Sequence, residues 1–81
     1  MPILPQKELK MIDAGKCVRQ AQIDLDISSV ELAQRTNSTP QQVVRWRSQP
    51  NMKIHTIEAI CNAMDISIYD FLLYQNAESP N

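Results

Sequence analysis

Glycine is nearly missing from this chain: Gly15 is the only one in 81 residues, alongside five prolines. Few backbone breaks are therefore built in, which suits helices. Aromatic residues are as scarce, with one Trp, two Tyr and one Phe. β-Branched residues rarely run together, and both features argue against a sheet protein. Cysteine is limited to Cys17 and Cys61, each inside an apolar helical pattern. Two small buried apolar residues are expected there rather than a disulfide. The single histidine, His55, is too close to Cys61 for a usual zinc spacing, so no metal or other cofactor is expected. No nucleophile–base pair or carboxylate pair stands out, which argues against an enzyme. No small-molecule ligand is evident either. No apolar stretch approaches the ~18 residues of a membrane span. The N-terminus lacks the apolar run of a signal peptide, so a cytoplasmic location with no membrane partner is expected.

What is present is a helical pattern with a 43% hydrophobic content, enough for a core and too much for wholesale disorder. A domain of this size buries only about 60–65% of its unfolded surface, so a partner copy or very regular packing would help it. The formal net charge is −1, yet it is unevenly spread. Residues 28–53 hold Arg35, Arg45, Arg47 and Lys53 against Glu31 alone, whereas residues 54–81 hold four acids and no Lys or Arg. Local potential rather than net charge governs contact with phosphate.

The organisation is expected to be an N-terminal arm over 1–13, one domain over 14–74 and a flexible tail over 75–81. The arm reads either as a disordered tail or as a segment that packs on a partner or touches DNA. Helix 1 is expected over Ala14–Asp24, with Val18, Ala21 and Leu25 on one face, Ile27 packing from the loop and Ile23 off the stripe. Helix 2 is expected over Ser29–Thr36, opened by a capping box of Ser28 and Glu31. The turn is Asn37-Ser38-Thr39, with Asn37 suited to a left-handed backbone. Thr39 caps helix 3, expected over Pro40–Ser48, and Gln42 completes a second capping box. Val43 and Trp46 face the core. Helix 4, Ile54–Met64, carries the stripe Ile54, Ile57, Ile60, Cys61 and Met64, and Asp65 sits at its C-terminal turn. Ser67 with Asp70 opens helix 5, Ile68–Tyr74.

Two short helices joined by a three-residue turn, with small Ala33 at their crossing, form a helix-turn-helix. With the stretches IDLDI (23–27), ELAQRTNSTPQQVVRW (31–46) and IEAICNAMDISIYDFLL (57–73), the chain resembles the lambda-repressor-like (XRE-like) family, closest in kind to small Cro-type phage repressors. The resemblance runs without gaps over residues 14–74. It implies an all-α, compact five-helix DNA-binding domain with the helix-turn-helix at helices 2 and 3. Three departures stand out. Asn37 and Asp65 replace usual glycines. Gln22 and Arg47 stand where many members pair an arginine of helix 1 with a glutamate of helix 3, so that ion pair is lost and Arg47 is expected to be released, for phosphate.

A helix in the major groove reads base edges with its outward side chains. Gln41, Gln42, Val44 and Arg45 are the expected base readers; the resemblance places Gln41 and Arg45 where such domains touch bases. Ser29, Thr39, Arg47, Ser48, Asn51, Lys53 and His55 are the expected phosphate contacts. Ile68, Phe71 and Tyr74 are expected to form a two-fold contact between copies. The expected partners are double-stranded operator DNA and a second copy of the chain. The expected function is a dimeric repressor of bacterial or phage origin that occludes a promoter at a palindromic operator. Alternatives are a restriction-modification controller protein, and a helical protein-interaction module that has lost DNA binding.

Overall fold

Among the described residues, four of the five α-helices start on a side-chain oxygen that accepts an otherwise orphaned backbone amide. Asp13 takes the amide of Lys16, Ser28 that of Glu31, Thr39 that of Gln42 and Ser67 that of Asp70. Each such cap stabilises by about 1 kcal/mol. In the computed structural model, which describes residues 12–77, these caps open α1 (Ala14–Leu25), α2 (Ser29–Arg35), α3 (Pro40–Arg47) and α5 (Ile68–Leu73). The remaining helix, α4 (Ile54–Met64), has Lys53 before it and no side-chain cap bond. No strand occurs among the described residues. The helix order is the expected one, and each boundary lies within a residue of its expected place.

Helix ends explain how a chain with one glycine turns so often. Asp26, Asn37 and Asp65 all adopt the left-handed region, with φ of 56°, 55° and 58°. Aspartate and asparagine tolerate this region better than other side-chain-bearing residues. Asn37 and Asp65 were expected there; Asp26 was not, although it follows α1 as Asp65 follows α4. Both aspartates also put a negative charge at the negative end of a helix dipole. Asp65→Gly should therefore raise stability by about 0.5–1 kcal/mol, read as a Tm increase of a few degrees in thermal denaturation. A lower Tm would mean that the Asp65 side chain makes a contact outweighing both penalties.

The two capping boxes close on one side only. Glu31 turns away from the Ser28 amide and pairs with Arg35 one helical turn on, whose guanidinium also reaches the carbonyl of Ala63 at the end of α4. A nearby cation outcompetes a single amide for the carboxylate.

Cys17, Val18 and Ala21 of α1, Ile27 of the following loop, Leu32 and Ala33 of α2, Val43 and Trp46 of α3, Ile60, Cys61 and Met64 of α4, and Phe71 of α5 form one buried cluster. Full burial of each larger member contributes roughly 1.5–3 kcal/mol. Both thiols are free. Burial raises the Cys17 thiol above its usual range and pushes Cys61 up to about 11. Ile23 stands exposed, as its place off the stripe implies, and so does Val30.

The C-terminal end corrects two expectations. Phe71 is completely buried and offers no surface to a second copy. Ile68 and Tyr74 are half-buried and pack against the same core, and the exposed apolar residues of α5 are Tyr69 and Leu73. Tyr74 donates its hydroxyl to Asp24 of α1, and burial together with that bond pushes it up to about 12. The tail expected from residue 75 is ordered at its start. Tyr74–Asn76 form a 3-10 turn, and Gln75 accepts from the Asp13 amide with its side chain and from Lys16 with its carbonyl. Residues 1–11 of the expected arm and 78–81 of the tail lie outside the described residues.

Candidate nucleic-acid interface

The 3.6-residue period of α3 splits it into two faces. Val43 and Trp46 are buried, whereas Gln41, Val44, Arg45 and Ser48 are exposed on the opposite side. Gln42 is half-buried at the flank. Proline at the first position and the Thr39 cap fix where this helix begins. Ala33, only 2% exposed, lets α2 cross α3 closely. An outward stripe of amide, methyl and guanidinium groups on a helix held at both ends is what base-edge reading requires.

The carboxyl end of α3 is anchored to the amino end of α1. Ala14 N–H donates to Pro50 O at 2.9 Å and Gly15 N–H to Gln49 O at 2.8 Å. The guanidinium of Arg19 donates to the carbonyl of Arg47. The first amides of α1 thus take up carbonyls left over where α3 ends, and the two dipoles meet with opposite ends together. A Cβ on Gly15 would lie 2.6 Å from Arg47 O and 2.8 Å from Gln49 O, so only glycine allows this approach. Neither Gly15 nor Arg19 stood out in the sequence, because the carbonyls they meet lie about thirty positions away and have no side-chain signature.

The stretch 40–53 carries Arg45, Arg47 and Lys53 and no acid. Most other cations are occupied. Lys16 donates to Gln75, Arg19 to Arg47, and Arg35 to Glu31 and Ala63. Arg47 donates to Ser29 Oγ at 3.2 Å. It is thus not released by the loss of the family's ion pair. Gln22 Nε2 donates to that same oxygen at 3.3 Å, so the two positions meet through a shared hydroxyl. Among the described residues, Arg45 and Lys53 are the cations without a hydrogen-bond or ion-pair partner, and both are exposed.

The expected phosphate contacts fall into three pairs, with His55 apart from them. Ser29 and Arg47 are joined directly, at the start of α2. Asn51 and Lys53 line, with Gln42, an open cleft of about 360 Å³ between α3 and α4. Thr39 and Ser48 flank the two ends of α3. Thr39 accepts at its oxygen and keeps its proton, whereas Ser48 donates its hydroxyl to Arg45 O at 2.9 Å and is left with lone pairs only. His55 lies on the solvent side of α4, its side chain 92% exposed and 3.4 Å from Glu58.

Compared with known proteins, residues 19–77 match the family model described as the Cro/C1-type HTH DNA-binding domain. No curated protein and no solved structure matches the chain.

Proposed function

Because the chain belongs to the Cro/C1-type HTH DNA-binding domain family, we propose that it is a sequence-specific DNA-binding transcriptional regulator of the repressor kind. It lays α3 in the major groove of a palindromic operator as a pair of copies and blocks a promoter by occupying it. The observation that carries this reading is the outward stripe of α3 with Gln41 and Arg45, followed by Lys53 six residues past the helix, Arg45 and Lys53 being unpartnered among the described residues and no acid lying in 40–53. Gln41 reads adenine through N6 and N7, Arg45 reads guanine through O6 and N7, and Val44 meets a thymine methyl. Gln42 contributes from the flank. Arg47 with Ser29, Thr39, and Lys53 with Asn51 grip phosphates on either side. Ser48 and His55 stand at the margin of this surface. Exposed Tyr69 and Leu73 on α5 are the apolar surface that a second copy would cover.

The test is a mobility shift on DNA surrounding the protein's own gene, over a range of salt, with competitor. A discrete shift that resists competitor supports the reading, and the footprint then gives the half-site spacing. No shift at low salt overturns it in favour of a helical protein-interaction module. A single-copy footprint would remove the paired arrangement while leaving DNA binding intact. Lys53→Ala should weaken binding to all duplexes alike and reduce the salt slope of log K by about 0.9, one phosphate contact's share. An unchanged slope would take Lys53 off the DNA backbone.

A further inference from the structure

One buried polar side chain has no part in the reading above. Gln22 sits on α1 at 6% exposure. Its Nε2 donates to the Ile27 carbonyl at 3.1 Å and to Ser29 Oγ at 3.3 Å. Its Oε1 is buried with no donor among the described residues. The bond to Ile27 fixes which end of the amide is nitrogen, since a carbonyl oxygen only accepts.

The consequence falls on Ser29. A hydroxyl oxygen has two lone pairs and one proton. Gln22 Nε2 and Arg47 Nη1 both donate to it, so both lone pairs are taken. The Ser29 proton then has no acceptor among the described residues and is left to point outward. Beside it, Arg47 has used one of its five N–H donors on Ser29. An oriented O–H next to a guanidinium fits one anionic oxygen. Gln22 is buried, whereas Ser29 and Arg47 are only half-buried, so the unsatisfied Ser29 proton lies where an outside acceptor can reach it. A polar cluster left incomplete in this way is expected where a ligand completes it.

We propose that Gln22 is a positioning residue for DNA: by donating to Ser29 it forces that hydroxyl to donate outward, and so makes Ser29 and Arg47 a seat for one backbone phosphate. This rests on the DNA-binding reading. Gln22 itself touches no phosphate. A glutamate at the same place would reverse the arrangement, because a carboxylate accepts from Ser29 and pairs with Arg47, spending both donors inside the protein.

The experiment measures duplex affinity against salt for the wild type, Gln22→Glu, Ser29→Ala and the double variant. Gln22→Glu should weaken binding severalfold on specific and competitor DNA alike and lower the salt slope by about 0.9. Its effect should be clearly smaller when Ser29 is already alanine, since only the pairing of the new carboxylate with Arg47 then remains. Unchanged slope, or additive losses in the double variant, would overturn the proposal and reduce Gln22 to a packing role. Should Gln22→Glu not fold, Gln22→Met removes the donor without adding charge. It should then show the same dependence on Ser29, and its independence of Ser29 would equally overturn the proposal. A wild type that binds no duplex at any salt removes the DNA-binding reading and this inference with it, whereas a binding wild type with an unaltered Gln22→Glu slope removes the inference alone.

Discussion

Gly15→Ala should destabilise the protein by about 2–3 kcal/mol, a fall in Tm of roughly 10–20 °C for a domain of this size. Helix propensity alone forecasts the opposite sign, because alanine is favoured over glycine by about 1 kcal/mol inside a helix. The decision rests on what the new methyl meets. Its carbon would stand 2.6 Å from Arg47 O, 2.8 Å from Gln49 O and 2.9 Å from Arg47 C. All three are backbone atoms, so no side-chain rotation relieves the contact. The amino end of α1 and the carboxyl end of α3 must separate. Separation breaks the bonds from Ala14 to Pro50 and from Gly15 to Gln49, and stretches that from Arg19 to Arg47. Thermal denaturation followed by circular dichroism reads the result, and a Tm equal to or above wild type would show that α3 does not end against α1 as described.

The same substitution should also weaken DNA binding at temperatures where the domain stays folded. α3 is held at its start by the Thr39 cap and by its crossing with α2, and at its end by α1. Freeing one end lets the helix rock about the other, which misplaces Arg45 near the loosened end more than Gln41 near the fixed one. On the proposed reading, in which Arg45 meets a base, specificity at that base should therefore relax first.

Local signals made most of the fold legible in the sequence. Ser28, Thr39 and Ser67 each precede a helix that they cap, and Asn37 and Asp65 each sit where the backbone turns left-handed. These features depend on residues within four positions, so a sequence displays them directly. The two faces of α3 were legible for the same reason, since Val43 and Trp46 on one side and Gln41, Val44 and Arg45 on the other follow from helical period alone. Phe71 marks the boundary of that method. Its stripe with Ile68 and Tyr74 is readable from spacing, but spacing does not say whether the stripe meets its own core or another copy. Gly15 and Gln22 lie beyond it altogether. Their partners, the carbonyls at 47 and 49 and the hydroxyl at 29, come from other helices and are settled only by packing. Hence the outward stripe of α3 could be listed in advance, while the contacts of Gly15 and Gln22 could not.

Arg45→Ala should lower affinity for the specific operator by about 1–3 kcal/mol, roughly fivefold to more than a hundredfold, with a far smaller loss on competitor DNA. Arg45 is exposed and makes no side-chain bond among the described residues, so its removal should shift stability by no more than about 0.5 kcal/mol. Loss of binding is then not loss of fold, and an unchanged Tm verifies this. The contrast with Arg45→Lys separates the two things an arginine can do on DNA. Lysine keeps the charge and any phosphate attraction, but a single ammonium cannot span guanine O6 and N7 as a fork. If Arg45 reads a base, the lysine variant keeps its competitor affinity and salt slope and loses discrimination at one position of the operator. If Arg45 only meets phosphate, lysine restores nearly everything, and alanine costs the same on both kinds of DNA. The second pattern would move base reading to Gln41 and Val44, nearer the start of α3, and leave the cationic end of that helix as a grip on the backbone.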